Sequence, residues 1–161
     1  MRIGLISLML CAVSAAADPN PWIEPPLTTE RDFPVPRPDV VPTIPAAHGS
    51  HPAYAIEWWY WVGHLQSVGG DELFGFQSTV FRLAAGPDES DLATDTQFGD
   101  GQLFMSHAGL SDLTAGRYTH VERLYREGWQ ARSAEGRLDL AAGPIVAAEN
   151  GEGGFTMTVS Y

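Results

Sequence analysis

The chain has 161 residues, with nine basic against 20 acidic side chains and a formal net charge of −11. All nine basic residues are arginines, which excludes a Schiff-base lysine and the lysine of a phosphate-binding P-loop. A surface this acidic repels nucleic acid and anionic membranes, so we expect neither as a partner.

The first 17 residues have the pattern of a secretory signal peptide. Arg2 precedes an apolar run from Ile3 to Val13, and alanines at positions 15–17 offer a cleavage site of small residues. The run is too short to cross a bilayer, so no stable membrane anchor is expected. We predict cleavage after Ala17 and a periplasmic or secreted protein. The single cysteine, Cys11, would leave with the leader, which excludes disulfides in the mature chain.

Residues 18–47 are dense in proline. Proline removes amide donors and fixes the backbone, so we expect an extended or irregular arm rather than a core element. The β domain itself is predicted over residues 48–161.

The first predicted strand is IEWWYWVGHL, at residues 56–65, where the alternation has a period of two. One face carries Ile56, Trp58, Tyr60, Val62 and His64, and the other carries Glu57, Trp59, Trp61, Gly63 and Leu65. Both faces are largely apolar, so we expect this strand to be covered on both sides.

Later runs continue the alternation. After a turn at residues 67–72, LFGFQSTVFRLA predicts an antiparallel hairpin with the first strand. QLFMSHAGLSD predicts a third strand, and RYTHVERLY, RLDLAA and IVAAE predict weaker ones. The last run, from Phe155 to Tyr161, directs Phe155, Met157, Val159 and Tyr161 inward. It ends without a turn, so we expect an all-β antiparallel barrel or sandwich that is the front part of a longer protein.

The aromatic residues of the first strand have two open interpretations. Trp58, Trp59, Tyr60 and Trp61 either form packed core or line the wall of a cavity for an apolar ligand. On the following strands, the polar residues Gln77 and His107 lie among apolar neighbours. Their side chains either hydrogen-bond to each other or project into the same cavity.

Glu57 is the candidate catalytic residue. A carboxyl group among indoles holds its proton more readily than one in water, which suits a general acid. The alternative is an ion pair with Arg82 on the neighbouring strand. His48 and His51, in the preceding loop, have a His-x-x-His spacing but no supporting carboxylate pattern. We therefore interpret them as hydrogen-bonding loop residues and expect no metal.

Taken together, HGSHPAYAIEWWYWVGHL, FGFQSTVFR, LFMSHAGLSD and GRYTHVERLYREG resemble one secreted family over residues 48–128. It comprises AttH-like proteins, predicted secreted hydrolases and relatives of the carotenoid 1,2-hydratases (hydroxyneurosporene synthases). The resemblance implies two consecutive lipocalin-like β domains, of which this chain supplies the first. It also implies hydration of an isoprenoid double bond without a metal or organic cofactor.

The resemblance places Trp58, Trp59, Tyr60, Gln77 and His107 at pocket or framework positions. The acids held responsible in the hydratase relatives lie near an Asp-His-x-Trp-like stretch of the second half, which this sequence lacks. Many relatives also carry an acid where this chain has Ala47, so an acid-histidine pair at His48 is not supported.

Three functions follow as hypotheses. The first is an exported lipocalin-like domain that binds an apolar, isoprenoid or lipid-like ligand. The second is the front half of a cofactor-independent hydratase or hydrolase, with catalytic residues mainly in the second half. The third is a purely structural partner of the second lipocalin-like domain.

Overall fold

The computed structural model describes residues 24–84 and 101–160. The predicted leader and Tyr161 lie outside these residues. A short 3₁₀ helix at Ala46–His48 precedes eight strands. The strands are β1 (Ile56–Gln66), β2 (Leu73–Leu83), β3 (Leu103–Asp112), β4 (Arg117–Arg126), β5 (Ala131–Ser133), β6 (Asp139–Ala142), β7 (Ile145–Glu149) and β8 (Phe155–Val159). In the described ranges, no helix is long and apolar enough to cross a membrane.

The strands form two antiparallel sheets of four strands, in the orders β1-β2-β3-β4 and β5-β6-β7-β8. Within each sheet, every strand pairs with the next along the chain, because short turns can connect only antiparallel neighbours. The predicted hairpin is confirmed: Ile56 lies opposite Leu83, and the turn is closed by the Ser67 amide, which donates to the Glu72 carbonyl over 3.0 Å. The all-β antiparallel prediction is therefore correct, as a two-sheet sandwich.

The core lies between the inner faces of the two sheets. Val80 and Phe104 from the first sheet and Leu140 and Ile145 from the second are at most 1% exposed and belong to one cluster. Met157 and Val159 of β8 pack against this cluster as predicted. Phe155 differs: it is 48% exposed and sets its ring against His48 instead.

The prediction that β1 is covered on both sides is wrong for the described residues. Trp59 and Trp61 point inward and pack against the core cluster. On the opposite face, Trp58, Tyr60 and Val62 are 56%, 64% and 70% exposed. The alternation was correctly predicted, but the second sheet covers only one side of the first. One apolar face of β1 is therefore left open to a ligand or another protein surface.

The prediction that the proline-rich arm contributes nothing to the core is also wrong at one residue. Phe33 is 0% exposed. A tight turn presents it, closed by the Thr29 amide, which donates to the Phe33 carbonyl over 2.7 Å. The Arg31 guanidinium lies 5.2 Å from the centre of the Phe33 ring and donates to the Ala84 carbonyl just after β2. The arm is irregular, as expected, but the Arg31 hydrogen bond attaches it to the end of β2.

Candidate functional site

The side of the first sheet that faces away from the second sheet is here called the outer face. Strand register aligns its side chains in rows that run across β1 to β4. The most apolar row is Trp58, Phe81, Met105 and Leu124, in that order. It is flanked on one side by the row that begins with Ile56 and on the other by the row that begins with Tyr60. Large exposed apolar patches of this kind are unusual on a solvated surface and mark sites of interaction.

Aromatic contacts connect these rows. The Trp58 and Phe81 ring centres lie 6.2 Å apart, and Phe81 stacks on His107 at 5.5 Å with an angle of 19° between the planes. His107 is half-buried, and its Nε2 atom has no hydrogen-bond partner among the described residues. The imidazole therefore extends the aromatic surface, while its Nε2 atom is itself buried.

At one end, the outer face deepens into an open groove of about 470 Å³. Two glycines, Gly75 and Gly109, contribute no side chains to its floor. A Cβ on Gly109 would lie 2.5 Å from the Tyr118 hydroxyl, so the glycine is what lets that tyrosine lie over β3. Gln77 and His64 also line the groove and give it polar atoms.

The structure separates the predicted ligand-binding residues into two groups. Trp58, Tyr60, Gln77 and His107 lie on the outer face. Trp59 and Trp61 lie on the inner face, where they pack against the core. The Trp59 indole N–H also donates to the His48 carbonyl over 3.0 Å, which anchors the loop before β1. The packed-core interpretation therefore applies to Trp59 and Trp61, whereas Trp58 and Tyr60 are exposed.

Glu57 makes the ion pair that was the alternative to a catalytic acid. Arg82 is 0% exposed, and its Nε atom donates to Glu57. Three more guanidinium N–H groups donate to Gln102 Oε1 and to the carbonyls of His51 and Tyr54, each over 2.9 Å. A buried guanidinium needs such extensive pairing because desolvating a charge is costly. Arg82 thereby holds Glu57 in place at the start of β1.

The same carboxylate reaches the loop that carries the histidines. The His51 amide donates to both Glu57 oxygens, over 2.9 and 3.0 Å, and the Ser50 hydroxyl donates over 3.1 Å. The His51 Nδ1 atom also lies 3.1 Å from Glu57 Oε2. Sequence reasoning missed this histidine-carboxylate pair, although both partners were candidates, because the bend of the intervening loop brings them together.

His48 and His51 do not converge on one site. His48 Nδ1 lies 3.7 Å from Glu149 on β7, and its ring meets Phe155 edge-on at 4.9 Å. His51 faces Glu57 instead. Across the described parts of the chain, no three histidine, cysteine, aspartate or glutamate side chains are grouped so that they could hold a metal ion.

The fold and its exposed face define a two-sheet β domain with one apolar surface open to solvent. An AttH-like family model matches residues 35–160, which is most of the chain, and the chain therefore belongs to the AttH-like family. The match begins within the predicted arm.

The chain is also similar to the crystal structure of a candidate AttH protein from Nitrosomonas europaea, with 26% identity and a TM-score of 0.62. The alignment covers 78% of this chain but only 36% of that one, so this chain spans little more than a third of that protein's length. No protein of curated function matches the chain significantly.

Proposed function

We propose that the outer face binds an apolar, isoprenoid or lipid-like molecule. The observation that carries the proposal is the continuous row of Trp58, Phe81, Met105 and Leu124, with Trp58 and Leu124 more than half exposed. Burying apolar area is worth about 25 cal/mol per Å², and aromatic side chains offer the largest areas. A long hydrocarbon chain laid along the row would cover it.

The groove beside the row suits the polar end of such a molecule. Gln77 and His64 supply amide and imidazole groups at its lining, and Tyr118 supplies a hydroxyl. Binding sites of this kind are mostly apolar, with a few polar groups that fix orientation. An isoprenoid alcohol combines the two properties.

All-trans-retinol is a suitable probe because its own fluorescence rises in an apolar environment. We expect saturable binding to the mature protein and a Kd at least tenfold weaker for Trp58→Ser. Trp129→Ser is the matched control, since Trp129 is 99% exposed but lies in the turn after β4. Equal affinities for wild type and Trp58→Ser would refute binding on the outer face.

A second candidate is that this face docks another domain of a longer protein, here the second lipocalin-like domain. The observation that favours it is that the Nitrosomonas europaea protein is much longer than the region aligned with this chain. In that case retinol would not bind, whereas the chain alone would self-associate through the face, and Trp58→Ser would abolish the self-association in sedimentation experiments. A hydratase or hydrolase activity is proposed only for such a longer protein, with its catalytic acid outside this chain.

A further inference from the structure

A second cavity, of about 550 Å³, lies between the arm and the start of β1. Its walls include Val40, Val41 and Pro42 from the arm and Ile56 from β1, all apolar. His51 and Glu57 line it as well. This volume is in the range of pockets that enclose small organic molecules.

Three side chains form a fixed chain of contacts that ends at this cavity. Arg82 holds Glu57, and Glu57 Oε2 lies 3.1 Å from His51 Nδ1. A carboxylate accepts hydrogen bonds and cannot donate one, so it selects the imidazole form that carries its proton on Nδ1. The other ring nitrogen, Nε2, is then left with a free electron pair.

The exposure of the pair fits this arrangement. The Glu57 side chain is 14% exposed, and the His51 side chain is 45% exposed. The carboxylate is therefore mostly shielded by protein, while the imidazole is open to molecules that enter. A positioned carboxylate also stabilises the imidazolium that forms when Nε2 takes up a proton.

We infer that His51 is the proton-accepting residue of a binding site for apolar molecules that carry a hydroxyl group, with Glu57 as its positioning residue. The ligand hydroxyl donates to Nε2, and on transfer its O–H bond breaks and an N–H bond forms. The oxygen keeps the electron pair, so a bound phenol becomes a phenolate beside the imidazolium, whereas an aliphatic alcohol, a far weaker acid, keeps its proton and only donates the hydrogen bond. The apolar walls offer contact area to the rest of the molecule. The site is independent of ligand binding on the outer face.

The probe for this inference is p-nitrophenol, whose phenolate absorbs visible light while the phenol does not. Titrated into the full chain at a pH where the free probe is mostly protonated, it should give a saturable increase in phenolate absorbance. His51→Gln should abolish the increase. His120→Gln should not, because His120 is exposed on β4 and lines neither the groove of the outer face nor this cavity. An unchanged signal in His51→Gln, or binding without phenolate, would overturn the inference.

The role of Glu57 is tested separately by nitrogen NMR of the His51 ring. The wild-type protein should show the proton on Nδ1, and a proton on Nε2 would refute the positioning role without any variant. Glu57→Asp keeps the charge that Arg82 requires but withdraws the carboxylate by one methylene. We expect a mixture of the two tautomers and a smaller phenolate signal in a protein whose circular dichroism spectrum is unchanged. A folded Glu57→Asp variant that keeps the wild-type tautomer and the wild-type phenolate absorbance would contradict the positioning role of Glu57.

Discussion

Glu57 is the carboxylate that pairs with the buried guanidinium of Arg82, and replacing it by glutamine removes this negative charge. Arg82 is 0% exposed, and its other contacts are to neutral oxygens. Removing one partner of a buried ion pair costs about 3–5 kcal/mol, because the other charge stays desolvated. Glutamine keeps the shape and one acceptor oxygen, so we expect about 3 kcal/mol. Whole domains are stable by only about 5–15 kcal/mol, so the loss would be a large fraction of the total.

The assay is urea unfolding followed by circular dichroism, with the free energy of unfolding obtained by linear extrapolation. The matched control is Arg132→Gln, which breaks the exposed pair of Arg132 and Asp139, 3.1 Å apart with side chains 58% and 30% exposed. That variant should lose less than about 1 kcal/mol, as exposed pairs do. If Glu57→Gln lost no more than the control, the claim that Arg82 depends on Glu57 would fail.

Three further predictions concern other parts of the fold. Trp59→Ala should lower the free energy of unfolding by about 3–5 kcal/mol, because it empties part of the core. Trp58→Ser on the outer face should change it by less than about 0.5 kcal/mol. Urea unfolding of the two variants measures the difference, and equal losses would contradict the assignment of the two faces. Gly143→Ala should destabilise more than Gly136→Ala in the same assay: both glycines have positive φ, but only at position 143 would the new Cβ meet a tyrosine hydroxyl, 1.9 Å away. The pKa of Asp112 is held below its usual 3.8 mainly by the Ala115 amide, which donates to it over 2.7 Å, against burial, which raises it. The folded state therefore binds this proton less readily than the unfolded chain, so the stabilisation is present above pH 3.8 and is lost as the pH falls below it. In Asp112→Asn, the free energy of unfolding should therefore fall less steeply than in the wild type as the pH drops below 3.8. An unchanged dependence on pH would contradict this prediction.

The alternation along the chain was sufficient to predict the fold class and the sharing of faces. In a strand, successive side chains point to opposite sides, so Trp59 and Trp61 had to share a face with Glu57 whatever the fold. The β1–β2 hairpin followed from two such runs around a short polar turn. The three-residue strand β5 was not predicted, because so short a run carries no detectable period.

The sequence could not show which face of β1 is buried. Both faces are apolar. The alternation assigns each residue to one face or the other, but it does not show which face packs against the second sheet. That choice depends on where β5 to β8 pack, and it places Trp59 in the core and Trp58 on the surface. The sequence likewise could not show that Phe33 is buried. Its proline-rich surroundings predict an irregular arm, but they do not predict a contact between the arm and the sheet.

By itself, then, the sequence determined an antiparallel β domain of the AttH-like family and which residues share a face of a strand, because local alternation and motif spacing are properties of the chain. The tertiary structure alone decided how those residues are grouped. It joined Gln77 and His107 to Trp58 on one open face, and it brought His51, Glu57 and Arg82 together at the cavity beneath the arm. Such groupings depend on strand register and on the bends of loops, which involve contacts between residues distant in the chain.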